Sequence, residues 1–196
     1  MLLRRATLNI AIIGAGISGI IAAKTSAKNG FKTLLVDEKP YLGGSTIYQN
    51  SEHFKINNQI TSSWLEKEIN EIKKIDNLEI KIRTSAAAFH GYNFLLARES
   101  LTDHLPLHQR DKKVRHRLLK IRAKKVISAT GSLERPLIFD NNDLPGILLS
   151  SAIEKYSNFF GVACGQKNVL FTNNDSAYEL SLIHISEPTR RYAISY

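Results

Sequence analysis

A glycine-rich hexapeptide near the amino terminus has the residue types of a phosphate-binding turn. It is Gly14-Ala15-Gly16-Ile17-Ser18-Gly19, and it follows the apolar run 8–13. A turn at Gly14 can use backbone angles closed to other residues, and Gly16, which lacks a Cβ, lets a pyrophosphate approach the main chain. The N–H groups and the positive end of a helix that begins near Ile17 then face the phosphate oxygens. The spacing predicts an anion site formed by backbone atoms.

An acidic pair lies where such a motif requires a ribose ligand. Asp37-Glu38 ends the apolar run 33–36, about twenty residues after the glycine loop, where an acid accepts hydrogen bonds from ribose hydroxyls. We expect Asp37 to be the ligand rather than Glu38. A carboxylate about 4 Å from a 2′-phosphate would oppose it by roughly 4 kcal/mol, so NAD or FAD is expected rather than NADP. The alternative is that the glycines serve only a tight strand-helix contact.

Two further turns of small residues are predicted to approach the same ligand. The pair Gly43-Gly44, followed by Ser45, comes after the second apolar run, and Ala129-Thr130-Gly131 ends the run 125–128. Small residues at the carboxyl end of a strand let the backbone come close to a bound cofactor. The candidate cofactor contacts are Gly14, Ala15, Gly16, Ile17, Ser18, Gly19, Asp37, Glu38, Gly44, Ser45, Ala129, Thr130 and Gly131.

The elements that position these turns predict a Rossmann-like α/β domain with a parallel sheet. Helices are predicted over 17–29, with Ile20, Ile21, Ala23 and Ala27 facing inward, and from a capping box at Ser63-Trp64-Leu65-Glu66. Strands are predicted over 8–13, 33–36, 78–83 and 125–131. Residues 85–122 predict a small antiparallel β meander, inserted as a side layer between the third and fourth parallel strands.

Composition limits the class of protein. The 196 residues suffice for one sizeable domain, or for one domain and part of another. No stretch approaches the roughly 20 apolar residues of a membrane span, and Met1–Arg5 lacks the apolar core of a signal peptide. We therefore expect a cytoplasmic protein without a membrane partner. The single Cys164 excludes an internal disulfide, and no metal site is predicted.

A basic stretch at 110–125 contributes much of the formal net charge of +9. Nucleic-acid binding by such a stretch would need interleaved aromatic residues or a known binding module, and neither is present. We favour a solvated hairpin whose apolar members face inward, and we expect no nucleic-acid partner, although a basic nucleic-acid binder is kept as a remote alternative. Those apolar members are Val114, Leu118, Leu119 and Ile121.

The order of the motifs resembles the two-dinucleotide flavoprotein superfamily and, more narrowly, the alpha subunit of heterotetrameric sarcosine oxidase, over residues 9–178. The motifs in that order are 14–19, 36–44, 129–136 and 172–178, of which the first two are common to the superfamily. The narrower resemblance depends on Leu101–Leu105, Glu134–Phe139, Asp143–Gly146 and Phe171–Tyr178. It implies that Gly14, Gly16, Gly19, Asp37 and Gly131 contact the dinucleotide, and it assigns no catalytic residue to this chain.

The resemblance implies a module that holds NAD, with FAD as the alternative. The module would serve a larger enzyme that oxidises sarcosine to glycine, formaldehyde and hydrogen peroxide. It further implies beta, gamma and delta partner subunits, FAD on beta, FMN between alpha and beta, and a folate-binding region elsewhere in alpha. The first part of another FAD-dependent amine oxidoreductase is the alternative function.

The resemblance also predicts how the chain is divided. Residues 1–150 are expected to form the first dinucleotide-binding domain, and 151–179 the truncated start of a second, with a strand at 168–172. Residues 180–196 resemble a translated sequencing adapter and are expected to be a non-native tail. We therefore expect the chain to be a fragment that retains cofactor weakly and is inactive by itself.

Overall fold

The computed structural model describes residues 2–49, 55–110, 113–165 and 168–173. The chain divides into two units: Met1–Ile47 with Ser51–Ser132, and Tyr48–Asn50 with Leu133–Tyr196. The predicted tail at 180–196, and residues 174–179 of the predicted second domain, lie outside the described residues. The division at residue 150 stays a prediction.

The first unit contains eight strands, three of the four α-helices in the described part of the chain, and a 3₁₀ helix at Gly44–Ile47. The strands are β1 (Leu2–Ile13), β2 (Thr33–Val36), β3 (Lys55–Ile56), β4 (Gln59–Ile60), β5 (Leu78–Lys81), β6 (Thr84–His90), β7 (Phe94–Ser100) and β8 (His116–Ser128). The helices are α1 (Ile17–Lys28), α2 (Thr61–Ile72) and α3 (Leu107–Arg110), and α4 (Ser150–Phe160) belongs to the second unit.

Six strands form one sheet in the order β5-β2-β1-β8-β7-β6, and β3 pairs with β4 separately. Neighbours are parallel from β5 to β8, whereas β7 and β6 are antiparallel additions. The predicted fold class, a Rossmann-like parallel sheet with a small antiparallel insertion, is confirmed. The strand predicted over 78–83 ends at Lys81, because Arg83 adopts a positive φ of 51°.

The antiparallel insertion differs from the predicted side layer, because its strands are hydrogen-bonded into the main sheet. Strand β8 pairs with β7 over its first half and with β1 from Leu2↔Arg117 to Ile13↔Ser128. The predicted end of the meander and the predicted strand at 125–131 are therefore one strand. No glycine, proline or asparagine interrupts it, and alternate residues 119, 121 and 123 are buried along it.

Helix α1 begins at Ile17, as predicted, and ends one residue earlier than predicted. Ile20, Ala23 and Ala27 are buried, but Ile21 is 37 % exposed, so its predicted inward orientation is wrong. One residue is a rotation of about 100° around a helix, which moves Ile21 off the face that contacts the sheet.

Helix α2 begins at Thr61, so the predicted capping box at Ser63 is wrong. The N-cap is Ile60, the last residue of β4, and no side chain caps the helix. Leu65 and Ile72 are buried, and Ile69 packs partly buried against the same cluster. Strand β4 ends at Ile60 and leads directly into the helix, which therefore begins at Thr61.

The sheet separates two hydrophobic clusters. Ile12 and Leu35 belong to the cluster that contains α1 and α2 residues. Their neighbours Ala11 and Leu34 belong to the second cluster, which joins the parallel strands to β7 and β8. This alternation follows from the period of two along a strand. The second cluster also contains Leu119 and Ile121, as predicted, but Val114 is exposed and not inward-facing.

The second unit is built around α4, none of whose residues is buried. The Glu134 carboxylate accepts hydrogen bonds from the backbone N–H groups of Ser150 and Ser151, at 3.2 and 2.8 Å, and so caps the helix from outside it. Gly161, in the left-handed conformation, ends it. The strand predicted over 168–172 is wrong, since those described residues form no strand and Val169 is 98 % exposed.

Candidate functional site

The glycine turn lies at the carboxyl end of β1, between the ends of β2 and β8. The Gly14 N–H donates to the carbonyl of Val36, and the Ala129 N–H donates to the carbonyl of Ile13, both at 2.8 Å. Gly14 has φ +98°, and a Cβ added there would overlap the carbonyl oxygen of Ala129. Only glycine satisfies both constraints, because a positive φ is unfavourable for residues with a Cβ.

The other two glycines of the motif have different surroundings. A Cβ added to Gly19 would overlap the carbonyl oxygen of Gly14, so Gly19 permits the close contact between α1 and the turn. A Cβ added to Gly16 would have no heavy atom nearer than Gly44 Cα, at 4.0 Å. Gly14 and Gly19 are therefore required for packing, whereas Gly16 leaves open space at the start of the helix.

The start of α1 is suited to an anion. Gly16 is its N-cap, no side chain caps it, and the first turn contains no acidic residue. The first N–H groups of a helix have no partner within the helix, and the helix dipole is positive at that end. The backbone N–H groups that follow Gly16 are therefore the donors available to a phosphate.

The second glycine turn packs directly against the first. The Gly43 N–H donates to the carbonyl of Ala15 at 2.8 Å, and Gly16 and Gly43 form a parallel bridge. A Cβ on Gly44 would lie 2.8 Å from Gly16 Cα, and one on Gly43 would lie 2.6 Å from Leu65 Cδ2. The glycine pair thus keeps the second turn in contact with the first, and Ser45 follows it in an exposed position.

Asp37 points toward the glycine turn, and Glu38 contributes to a different cavity. Oδ2 of Asp37 accepts from the Ala15 N–H at 2.6 Å, and Oδ1 accepts from the Lys39 N–H at 2.8 Å. Each carboxylate oxygen can accept a further hydrogen bond, so ribose hydroxyls can still bind there. The exposed Glu38 lines a cavity together with Arg83. The structure therefore brings Asp37, but not Glu38, together with the glycine turn.

The third small-residue turn lies against the first at Ala129, and Thr130 Cα would be 3.2 Å from a Cβ added to Gly14. Thr130 and Gly131 are exposed, and Gly131 has φ +75° with open space around it. Among the described residues, no three His, Cys, Asp or Glu side chains are grouped as a metal site requires. No helix in that part of the chain has the length and apolar character needed to cross a bilayer.

Gly43, which is not among the predicted contacts, is part of the site. Gly43 makes the hydrogen bond to Ala15 and the bridge to Gly16, and its φ is +117°. The signal was present in the glycine doublet, but which member faces the turn depends on the path of the chain after β2.

A helix start with open space before it, a carboxylate at the end of the next strand, and small-residue turns at one sheet edge define a dinucleotide-binding domain of the Rossmann class. The family model described as "FAD dependent oxidoreductase" matches residues 9–131, which is more than half of the chain. The chain belongs to this family.

Relatives of known name extend the similarity beyond that domain. Sarcosine oxidase subunit alpha from Corynebacterium sp. (strain P-1) is 35% identical over 172 residues, which cover 88% of this chain and 18% of that protein. The subunit of the same name from Rhizobium meliloti (strain 1021) is 34% identical over 180 residues, with 88% and 17% covered. The chain thus spans less than a fifth of the length of these relatives.

A solved structure agrees with the fold. L-proline dehydrogenase from P. horikoshii superposes with a TM-score of 0.64 at 26% identity, covering 85% of this chain and 31% of that one.

Proposed function

We propose that this chain is the dinucleotide-binding module of a sarcosine oxidase-type alpha subunit. The observation that carries the proposal is the juxtaposition of the open position at Gly16, the uncapped start of α1 and the Asp37 carboxylate. In the whole enzyme, sarcosine would be oxidised to glycine, formaldehyde and hydrogen peroxide, with beta, gamma and delta subunits as partners. The similarity to alpha subunits over 88% of this chain supports this part.

In the proposed site, the N–H groups after Gly16 bind the diphosphate and Asp37 accepts from the ribose hydroxyls. The bound ring, nicotinamide or flavin, would supply hydride or electron transfer. None of the candidate residues is proposed to act as acid, base or nucleophile. The amine oxidation itself, and the FAD, FMN and folate sites implied for the complex, are proposed to lie outside this chain.

NAD is our first candidate for the dinucleotide, on the resemblance to alpha subunits. FAD is the second, and the family description favours it. The contacts proposed here involve only the ADP portion, which the two molecules share. A 2′-phosphate beside Asp37 is disfavoured by charge, so NADP is proposed to bind more weakly than NAD.

Titration of the purified chain with NAD, FAD and NADP tests the proposal. Gly16→Val is expected to weaken binding of the preferred dinucleotide by about tenfold or more, because the added side chain fills the space before the helix. Its unfolding transition should stay near that of the parent, because that space is open. Gly91→Val is the matched control, since Gly91 also has open space around it.

Three results would contradict the proposal. The first is that none of the three dinucleotides binds. The second is that Gly16→Val binds the dinucleotide as tightly as the parent. The third is that the Gly91→Val control loses as much affinity as Gly16→Val. Stoichiometric dinucleotide on the purified chain would contradict only the expected weak retention.

A further inference from the structure

The β6–β7 hairpin carries a cavity of about 310 Å³ that the proposed dinucleotide site does not use. Arg83 and Ser85 line it from the start of the hairpin, and Arg98 and Ser100 line it from the returning strand. No residue of the three glycine turns lines it. The cavity therefore requires an explanation of its own.

The strand register explains why two arginines and two serines meet there. Ser85 is the ladder partner of Arg98, and the Ser100 N–H donates to the Arg83 carbonyl at 2.8 Å. The Cβ atoms of such directly opposite partners are ordinarily about 5 Å apart. Arg83 precedes β6 and has φ +51°, so its place at the cavity follows from the turn before the strand. Both arginine side chains line the same cavity, which puts them within reach of one common anion.

Neither guanidinium in the cavity has a hydrogen-bonding or ion-pair partner among the described residues. Other arginines of this region differ. Arg110 donates to the carbonyl of Leu105, Arg115 to the Asp103 carboxylate, and Arg117 to the Glu99 carboxylate. Arg83 and Arg98 thus retain their full donor capacity toward the cavity.

The acidic residues in the cavity wall do not cancel this charge. Asp103 lines the cavity, but it accepts a hydrogen bond from Arg115 at 2.8 Å and lies 3.1 Å from His116 Nε2. The exposed Glu38 forms no ion pair with either cavity arginine. The cavity therefore has one more unpaired positive charge than negative charge.

We propose that this cavity binds a small phosphate monoester by its phosphate group. Two guanidinium forks and two hydroxyl groups match the several acceptor oxygens of a phosphate, and arginine binds such groups through two parallel hydrogen bonds. The volume favours an ester over the free ion, because cavities of ~300 Å³ and more accommodate organic ligands. Glu38 and His104, which also line the cavity, can accept from hydroxyl or amine groups of the organic part.

Binding of phenyl phosphate to the whole chain, at constant ionic strength, tests the proposal. Arg98→Gln is expected to weaken the affinity by about tenfold or more. Lys124→Gln, at an exposed position on β8, is the matched control with the same change of charge and is expected to bind like the parent. The Gly16→Val variant should also bind phenyl phosphate like the parent, which separates this site from the dinucleotide site.

Inorganic phosphate and acetate distinguish the ligand classes. Phenyl phosphate should bind more tightly than either, and equal affinity for inorganic phosphate would overturn the assignment to an ester. Tighter binding of acetate would overturn the assignment to phosphate. If Arg98→Gln and Lys124→Gln lose the same affinity for phenyl phosphate, the assignment of binding to this cavity is overturned. If Arg98→Gln does not fold, Arg98→Lys keeps the charge but removes the fork, and undiminished binding by that variant would contradict the fork geometry.

Discussion

The helices of the two units differ in how many residues they bury and in how their ends are capped. Helix α1 and helix α2 each bury five residues, whereas α4 buries none. Helix α4 has the Glu134 carboxylate at its start and Gly161 at its finish, whereas α1 and α2 have no side-chain hydrogen bond at their N-caps. Capping residues therefore determine where a helix begins and ends. The residues that a helix buries determine how much it contributes to the stability of its unit.

Glycine shows the same contrast. Gly14 and Gly19 are in places where a Cβ would overlap backbone, whereas Gly146 and Gly161 have nothing within 4 Å and serve only through their positive φ. Substitutions at Gly14 and Gly19 should therefore disturb packing, whereas substitutions at Gly146 and Gly161 should have local effects.

The strongest test of this contrast is Gly19→Ala. The methyl group would overlap the Gly14 carbonyl, and we expect the free energy of unfolding to fall by about 3 kcal/mol. Urea denaturation of the purified chain measures this. Gly91→Ala, with open space around it, should change the value by about 0.5 kcal/mol or less. Similar values for the two variants would remove the distinction between packed and open glycines.

A second test removes the polar contact between α1 and α2. Lys24 Nζ lies 2.6 Å from Glu68 and 2.8 Å from Glu71, and the Lys24 and Glu68 side chains are 18% and 9% exposed. We expect Lys24→Met to lower the free energy of unfolding by about 2 kcal/mol, because it leaves Glu68 buried without its partner. Lys28→Met is the control, since Lys28 is 58% exposed and 3.6 Å from Glu71, and it should have little effect.

The same contact predicts a pH dependence. Hydrogen bonds to Glu68 and Glu71 raise the pKa of Lys24 above its ordinary value. Stabilisation from a raised lysine pKa is complete below that ordinary value and is lost as pH rises through the folded-state pKa. The hydrogen bond from Lys24 lowers the pKa of Glu71, so its contribution is lost as pH falls through that lower pKa. The difference between parent and Lys24→Met should therefore narrow at both extremes, and a difference that widens with alkali would contradict the assignment.

The smallest effect is expected in the second unit. Burial alone would raise the pKa of Glu134, but the hydrogen bonds from Ser150 and Ser151 lower it overall. Glu134→Ala should weaken the start of α4 by about 1 kcal/mol and speed hydrogen exchange of the amides at 151–153 by about fivefold. Asp140→Ala, an exposed acid of the same unit, is the control. Because the Glu134 pKa is lowered, the cap should be lost as pH falls through it. A matching loss in the urea transition of the first unit would contradict the local role.

The sequence was sufficient where a signal is local. The strand at 33–36 and the start of α1 at Ile17 agree with the prediction, because an apolar run, a glycine turn and a helical period occur together there. The start of α2 could not be predicted from capping residues, since Ile60 occupies the N-cap. Likewise, the continuity of β8 depends on its pairing with two other strands.

Parts of the site also depend on long-range register. The roles of Gly14 and Gly19 follow from the spacing of the motif, whereas the contact of Gly43 with Ala15 depends on how the chain returns after β2. Arg83 and Arg98 are fifteen positions apart in sequence, and only the hairpin register makes them neighbours. No spacing rule identifies such a pair in advance.

Strand β8 has a consequence for how the gene can change in length. Its register places Arg98 opposite Leu118 at one end and Ser128 beside Ile13 at the other. Inserting or deleting one codon within His116–Ser128 would exchange the faces of the residues on one side of the change. It would thereby displace either the arginine cavity or the turn at Ala129. The hairpin turn at Gly91 and Tyr92 is exposed and carries neither, so length changes there should leave both in register.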